Sequence, residues 1–132
     1  MEEHILNILS AEDDLDDQLI IRDAIKKADI GASVHFVSNG SALLERLAEQ
    51  FGGNLPDILL LDLNMPVLNG LEVLKILRER EDIEDLPIII LTTSSNQNDI
   101  DQCYRLGANS FITKPSSFKE MVEVVKSFRE FK

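Results

Sequence analysis

Short strand-like runs alternate with segments of helical spacing from one end of the chain to the other. This alternation constrains the fold more than any other feature. Strands are expected at Ile5–Ser10, Ser33–Val37, Asp57–Leu61, Ile88–Leu91 and Ser110–Thr113. The third and fourth carry continuous apolar runs, Ile58–Leu61 and Ile88–Leu91, the pattern of strands covered on both faces. Between the strands, Ile21, Ala24, Ile25 and Ala28 follow the i, i+3, i+4, i+7 spacing of an amphipathic helix. Leu44, Leu47, Ala48 and Phe51 repeat it, as do Phe118, Met121, Val122 and Val125. Ser117-x-x-Glu120 reads as a full capping box, and Asp14-x-x-Asp17, Asn69-x-x-Glu72 and Asn96-x-x-Asp99 as looser helix starts. Gly107 stands where a helix C-cap is expected.

Five βα units in so short a chain imply an α/β fold, a doubly wound parallel sheet with helices on both faces. The flavodoxin-like (βα)5 arrangement, strand order 2-1-3-4-5, is the expected form, although local pattern does not separate it from close variants. The 132 residues suit a single domain, and 44% apolar content suffices for a core without staples. The apolar runs are too short to span a bilayer, and the N-terminus opens on Glu2 and Glu3 rather than on a signal peptide's basic residues. A cytoplasmic location is the expectation. Cys103 alone permits neither an internal disulfide nor a cysteine zinc cage. A formal charge of −11 disfavours nucleic acid and anionic membrane as partners.

In doubly wound folds ligands sit beyond the carboxyl ends of the strands, where strand order reverses. That rule selects Glu12, Asp13 and Asp14 after the first strand and Asp62 after the third. It also selects Thr92 and Thr93 after the fourth and Lys114-Pro115 after the fifth. Two carboxylates about 4 Å apart repel by roughly 4 kcal/mol at an effective dielectric near 20, so converging acids call for a cation. An all-oxygen set suits a hard ion such as Mg²⁺. His4 and His35 lie apart from this set and read as ordinary strand or surface residues. With its charge neutralised, a carboxylate can attack phosphorus to form an acyl phosphate. Asp62, ending the central buried run, is the better nucleophile. Lys114 would add a point charge and Thr92 a hydroxyl donor. Singly, each residue has a plainer reading. Asp62 could merely end a strand, Thr92 could be a β-branched strand residue, and Lys114 could belong to a solvated turn. Asp14 reads as an N-cap, and Asp16 and Asp17 as first-turn acids favoured by the helix dipole. The joint placement at four strand ends is what favours phosphate and metal chemistry.

Glu12-Asp13, the segment Asp62-Leu-Asn-Met-Pro-Val-Leu-Asn-Gly70, Leu91-Thr92 and Lys114-Pro115 together resemble the receiver domain of two-component response regulators over essentially residues 1–132. The resemblance implies that Asp62 is the phosphoacceptor, receiving its group from a phosphohistidine on a sensor histidine kinase. It implies Mg²⁺ held by Asp13, Asp62 and the backbone carbonyl of Asn64, with Glu12 acting through water. Thr92 and Lys114 would bind phosphoryl oxygens, and the Lys114–Pro115 peptide would be cis. Such a domain catalyses its own phosphorylation and slow dephosphorylation rather than turning over a substrate. Phe111 takes the switch position often held by tyrosine; it lacks the hydroxyl, and a plain core aromatic is the other reading. The stretches Thr92-Thr-Ser-Ser and Cys103–Pro115 resemble small regulators paired with bacterial phytochrome kinases.

With nothing expected beyond the fifth helix, the signal is expected to leave by protein–protein contact or phosphorelay to a phosphotransfer protein. Thr92 and Phe111 would shift the face formed by the fourth helix, fifth strand and fifth helix. Val124, Phe128 and Phe131 form a second apolar set, either packed on the domain itself or serving as a partner or homodimer face. An aspartyl-phosphate phosphatase is disfavoured, because Asn64 stands where that class has a second acid. A flavodoxin is disfavoured by acids in place of a phosphate-cradling loop. A receiver-like adaptor that is never phosphorylated is disfavoured by the intact acid set.

Overall fold

The computed structural model describes residues 4–49 and 55–131; Glu2, Glu3 and Phe51, used above, lie outside them. Five strands, β1 (Leu6–Ala11), β2 (Ala32–Val37), β3 (Ile58–Leu61), β4 (Ile88–Thr92) and β5 (Ser110–Thr113), form one sheet in the order β2-β1-β3-β4-β5. Every pairing is parallel. Helices α1 (Leu15–Ala28), α2 (Gly40–Glu49), α3 (Gly70–Leu77), α4 (Gln97–Arg105) and α5 (Phe118–Lys126) supply the crossovers. The sheet has the flavodoxin-like order.

The alternation of side chains along a strand divides the core in two. Leu59, Leu61, Ile88 and Ile90 pack with Leu43, Leu47, Val73, Leu74, Leu77 and Cys103 on the side of α2, α3 and α4. Ile58, Leu60, Ile89 and Leu91 pack with Ile21, Ala24, Ile25, Met121, Val122 and Val125 on the side of α1 and α5. Both faces of β3 and β4 are therefore covered, which is why their sequences are unbroken apolar runs.

Several local expectations change. On α2 the buried positions are Gly40, Leu43 and Leu47, while Ala48 is exposed, so the packed stripe is turned by one residue. Phe118 opens α5 but is exposed, because it lies in the first turn ahead of the packed positions. The fully reciprocal capping box forms at Asn69 and Glu72, with Glu72 N–H donating to Asn69 at 3.0 Å and Asn69 N–H to Glu72 at 3.2 Å. Ser117 accepts from Glu120 N–H at 3.2 Å. Phe128 is fully buried in the domain's own core, with Val124 and Phe131 packed beside it. The Phe128 ring therefore lies outside any homodimer face built on that set: the chain folds back in a 3₁₀ turn over Ser127–Phe131. The Arg129 guanidinium fixes the turn by donating to the carbonyls of Ile30 and His4, at 2.8 and 2.7 Å.

Gly107 ends α4 at φ +91°, a conformation that costs glycine little. Its N–H donates to Tyr104 C=O and Ala108 N–H to Cys103 C=O, both at 3.0 Å, closing a Schellman motif.

Candidate functional site

Backbone bonds carry the ladder one residue past the strands and line up the site. Glu12 N–H donates to Val37 C=O at 2.9 Å, Asp62 N–H to Ala11 C=O at 3.2 Å and Lys114 N–H to Thr92 C=O at 2.7 Å. Each side chain is thereby fixed at the carboxyl edge of the sheet, beside the position where β1 and β3 meet. Glu12, Asp62 and Thr92 are buried, whereas Asp13 is exposed at the rim. Carboxylate oxygens of Glu12, Asp13 and Asp62 lie within 4.8 Å of one another.

The Lys114 ammonium enters this cluster from β5. It donates to Glu12 Oε1 at 2.6 Å, Asp17 Oδ2 at 2.6 Å and Asp62 Oδ2 at 3.2 Å. Burial pushes the Glu12 carboxyl up to about 7, against the opposing pull of Lys114 and the Asp14 N–H. Burial also disfavours the Lys114 charge. Hydrogen bonds to Asp17 and Glu12 and the charge of Asp62 outweigh it and hold the ammonium above its ordinary value. The lysine therefore stays charged, with three carboxylates facing one cation.

Asp62 Oδ1 accepts the Asn64 N–H at 3.1 Å, which folds the loop after β3 back on its own first residue. The Asn64 amide donates to Thr92 Oγ1 at 3.4 Å and Thr93 Oγ1 at 3.3 Å, so this loop spans to the end of β4. Gly70 closes the loop with its N–H on Leu63 C=O at 3.1 Å; a Cβ there would stand 2.4 Å from Asp62 C=O. Only glycine lets α3 start this close to the Asp62 backbone. Val67, midway along the loop, is held at φ +70° with its side chain exposed.

The structure thus brings Glu12, Asp13, Asp62, Asn64, Thr92 and Lys114 to one edge. Phe111 lies apart, half-buried and packed on the α2–α4 side of the core, its N–H donating to the Tyr104 hydroxyl at 3.0 Å. Asp14 is the N-cap of α1, as expected, accepting from Asp16 N–H at 2.8 Å and Asp17 N–H at 3.1 Å. The Lys114–Pro115 peptide is trans, since no cis bond occurs among the described residues. For X–Pro bonds trans is the form of lower free energy, by about 0.5–1 kcal/mol. Sequence reasoning missed Asp17 as a site residue. Its spacing from Asp14 pointed to a helix start, and nothing local reveals a partner 97 residues away.

The response regulator receiver domain model matches residues 8–126. The chain belongs to this family. Receivers are signalling domains. This one is 30% identical over 127 residues to response regulator Rcp1 of Synechocystis, covering 94% of this chain and 86% of Rcp1. The Mn²⁺-bound form of Rcp1 superposes with a TM-score of 0.82 at 30% identity, over 93% of each chain. RPA3017, a response regulator in red light signalling of R. palustris, gives 0.85 at 35% identity, over 97% of this chain and 94% of that one. The phosphorylated cyanobacterial phytochrome response regulator RcpA gives 0.82 at 30% identity, with the same coverage. Among the described residues of this receiver, no helix is long and apolar enough to cross a membrane.

Proposed function

We propose that residues 1–132 act as one receiver unit in which Asp62 accepts a phosphoryl group from a phosphohistidine of a sensor histidine kinase, in a Mg²⁺-dependent reaction. The observation that carries this reading is the meeting of Asp62 with Glu12, Asp13 and the Lys114 ammonium at the sheet edge. An Asp62 oxygen attacks phosphorus, the P–N bond to the imidazole breaks, and the imidazole leaves with its electron pair and takes up a proton. Lys114 and Thr92 hold phosphoryl oxygens as negative charge builds there.

The donor set suits Mg²⁺, being all oxygen, with Lys114 as the cation among the acids. Asp13 and Asp62 would bind it directly with the Asn64 carbonyl, and Glu12 through water. When bound, the ion would neutralise the carboxylates and align the phosphoryl oxygens. The Mn²⁺-bound Rcp1 relative supports a divalent ion at this edge. The phosphorylated RcpA supports the acceptor role, and the relatives favour a kinase of phytochrome type. The acyl phosphate would form and slowly hydrolyse on the receiver itself.

Output would pass to a downstream protein or a phosphotransfer partner in the cytoplasm. Thr92 moving toward the phosphoryl group would bias Phe111 and the α4–β5–α5 face. A homodimer, if one forms, would use a face that excludes Phe128, which belongs to the core. Incubation with acetyl phosphate and Mg²⁺, followed by intact mass, tests the proposal. One phosphate adduct is expected on the unaltered chain and none after chelation; an adduct that forms without divalent metal would overturn the metal-dependent reaction.

A further inference from the structure

We propose that Asp17 is a positioning residue for Lys114, tethering the ammonium to the first turn of α1 before a phosphoryl group arrives; this rests on Asp62 being the phosphoacceptor.

Asp17 stands three residues after the N-cap Asp14, the place from which an acid ordinarily reaches back to the cap's own N–H. Here the Asp14 N–H donates to Glu12 Oε2 at 3.1 Å instead. The helix start is closed by Asp14 Oδ1, which accepts from both Asp16 and Asp17 N–H groups. The Asp17 carboxylate is therefore released from capping and reaches the Lys114 Nζ at 2.6 Å. It approaches from the rim, 30% exposed, while the lysine side chain is only 10% exposed. Much of the carboxylate's hydration is thus retained while it fixes a buried cation.

The three acids on Lys114 are not equivalent. Glu12 and Asp62 also belong to the carboxylate trio that can converge on a metal, and Asp17 does not. A cation at the trio would draw Glu12 and Asp62 toward itself and leave Asp17 as the lysine's own partner. Lysine is a point charge on a flexible four-carbon stem, so its usefulness to an arriving phosphoryl group depends on being held. Asp17 supplies that hold, and it makes the start of α1 a direct mechanical neighbour of the reacting carboxylate.

Two readouts test the tether. In metal-free protein, the ¹⁵N signal of the Lys114 ammonium should be resolved in the unaltered chain and in Asp16→Asn, which removes an equal charge one residue away. It should be lost to fast exchange in Asp17→Asn. With acetyl phosphate and Mg²⁺, Asp17→Asn should form the adduct about five-fold more slowly, Asp16→Asn within about two-fold of the unaltered rate, and Asp17→Glu should recover most of the loss. Far-UV circular dichroism of each variant confirms folding, and Asp17→Glu keeps the test alive if Asp17→Asn is unfolded. An unchanged ammonium signal in Asp17→Asn, or an adduct rate equal to or above that of Asp16→Asn, would overturn the proposal. If the unaltered chain takes no phosphate, the phosphoacceptor reading fails, and the ammonium signal still decides whether Asp17 holds the lysine.

Discussion

Strand β3 is bracketed by two buried acids, Asp57 before it and Asp62 after it, 8% and 4% exposed. At the amino edge Asp57 meets hydrogen-bond donors: Oδ2 accepts the Asn7 N–H at 2.8 Å and lies 2.8 Å from His4 Nε2. At the carboxyl edge Asp62 meets other acids, Glu12 and Asp13, and shares a single ammonium with Glu12 and Asp17. Burial alone does not mark a working carboxylate, since a buried acid surrounded by donors is simply satisfied. Crowding with like charge at the open end of the sheet is the feature on which the proposed cation and phosphoryl binding at Asp62 rests.

The largest test of this contrast removes the shared cation. Lys114→Met should destabilise metal-free protein by about 3–5 kcal/mol in urea unfolding, because it strands buried carboxylates. Added Mg²⁺ should recover part of that loss, since an ion that binds only the folded form stabilises it. No recovery would mean the acids do not form a metal site. The two ends of β3 should then respond oppositely. Asp57→Ala strips a partner from the Asn7 N–H and should cost about 1–3 kcal/mol. Asp62→Asn relieves repulsion while weakening one contact to Lys114, so its change should be stabilising and below about 1 kcal/mol. Equal losses at both positions would erase the distinction. An effect smaller than the Asp57 loss belongs to the loop leaving Asp62, where Val67 sits at φ +70° and 81% exposed. Asparagine tolerates that conformation better than a β-branched residue, so Val67→Asn should add about 1 kcal/mol to stability.

What could be read from sequence follows the range of the interactions. The runs Ile58–Leu61 and Ile88–Leu91 are local patterns with few alternative explanations, and both are strands. The strand-end rule then gathers Glu12, Asp13, Asp62, Thr92 and Lys114 without any knowledge of distances. It fails where a contact joins remote segments through side chains. Asp17 with Lys114 and His4 with Asp57 are such pairs, and no local periodicity records them. It also fails at helix ends. Phe118 and Phe128 have the same composition and similar spacing, yet one is exposed and the other is fully buried. The difference arises because the chain after α5 turns back onto the sheet, held by Arg129. The Lys114–Pro115 bond is trans, the intrinsically favoured isomer, where the family resemblance led to the expectation of cis.

The most direct measurement compares the two brackets of β3 in one reaction, by intact mass after exposure to acetyl phosphate and Mg²⁺. The account predicts one phosphate on the unaltered chain and on folded Asp57→Asn, and none on Asp62→Asn. An adduct that survives in Asp62→Asn, or disappears from folded Asp57→Asn, would contradict it.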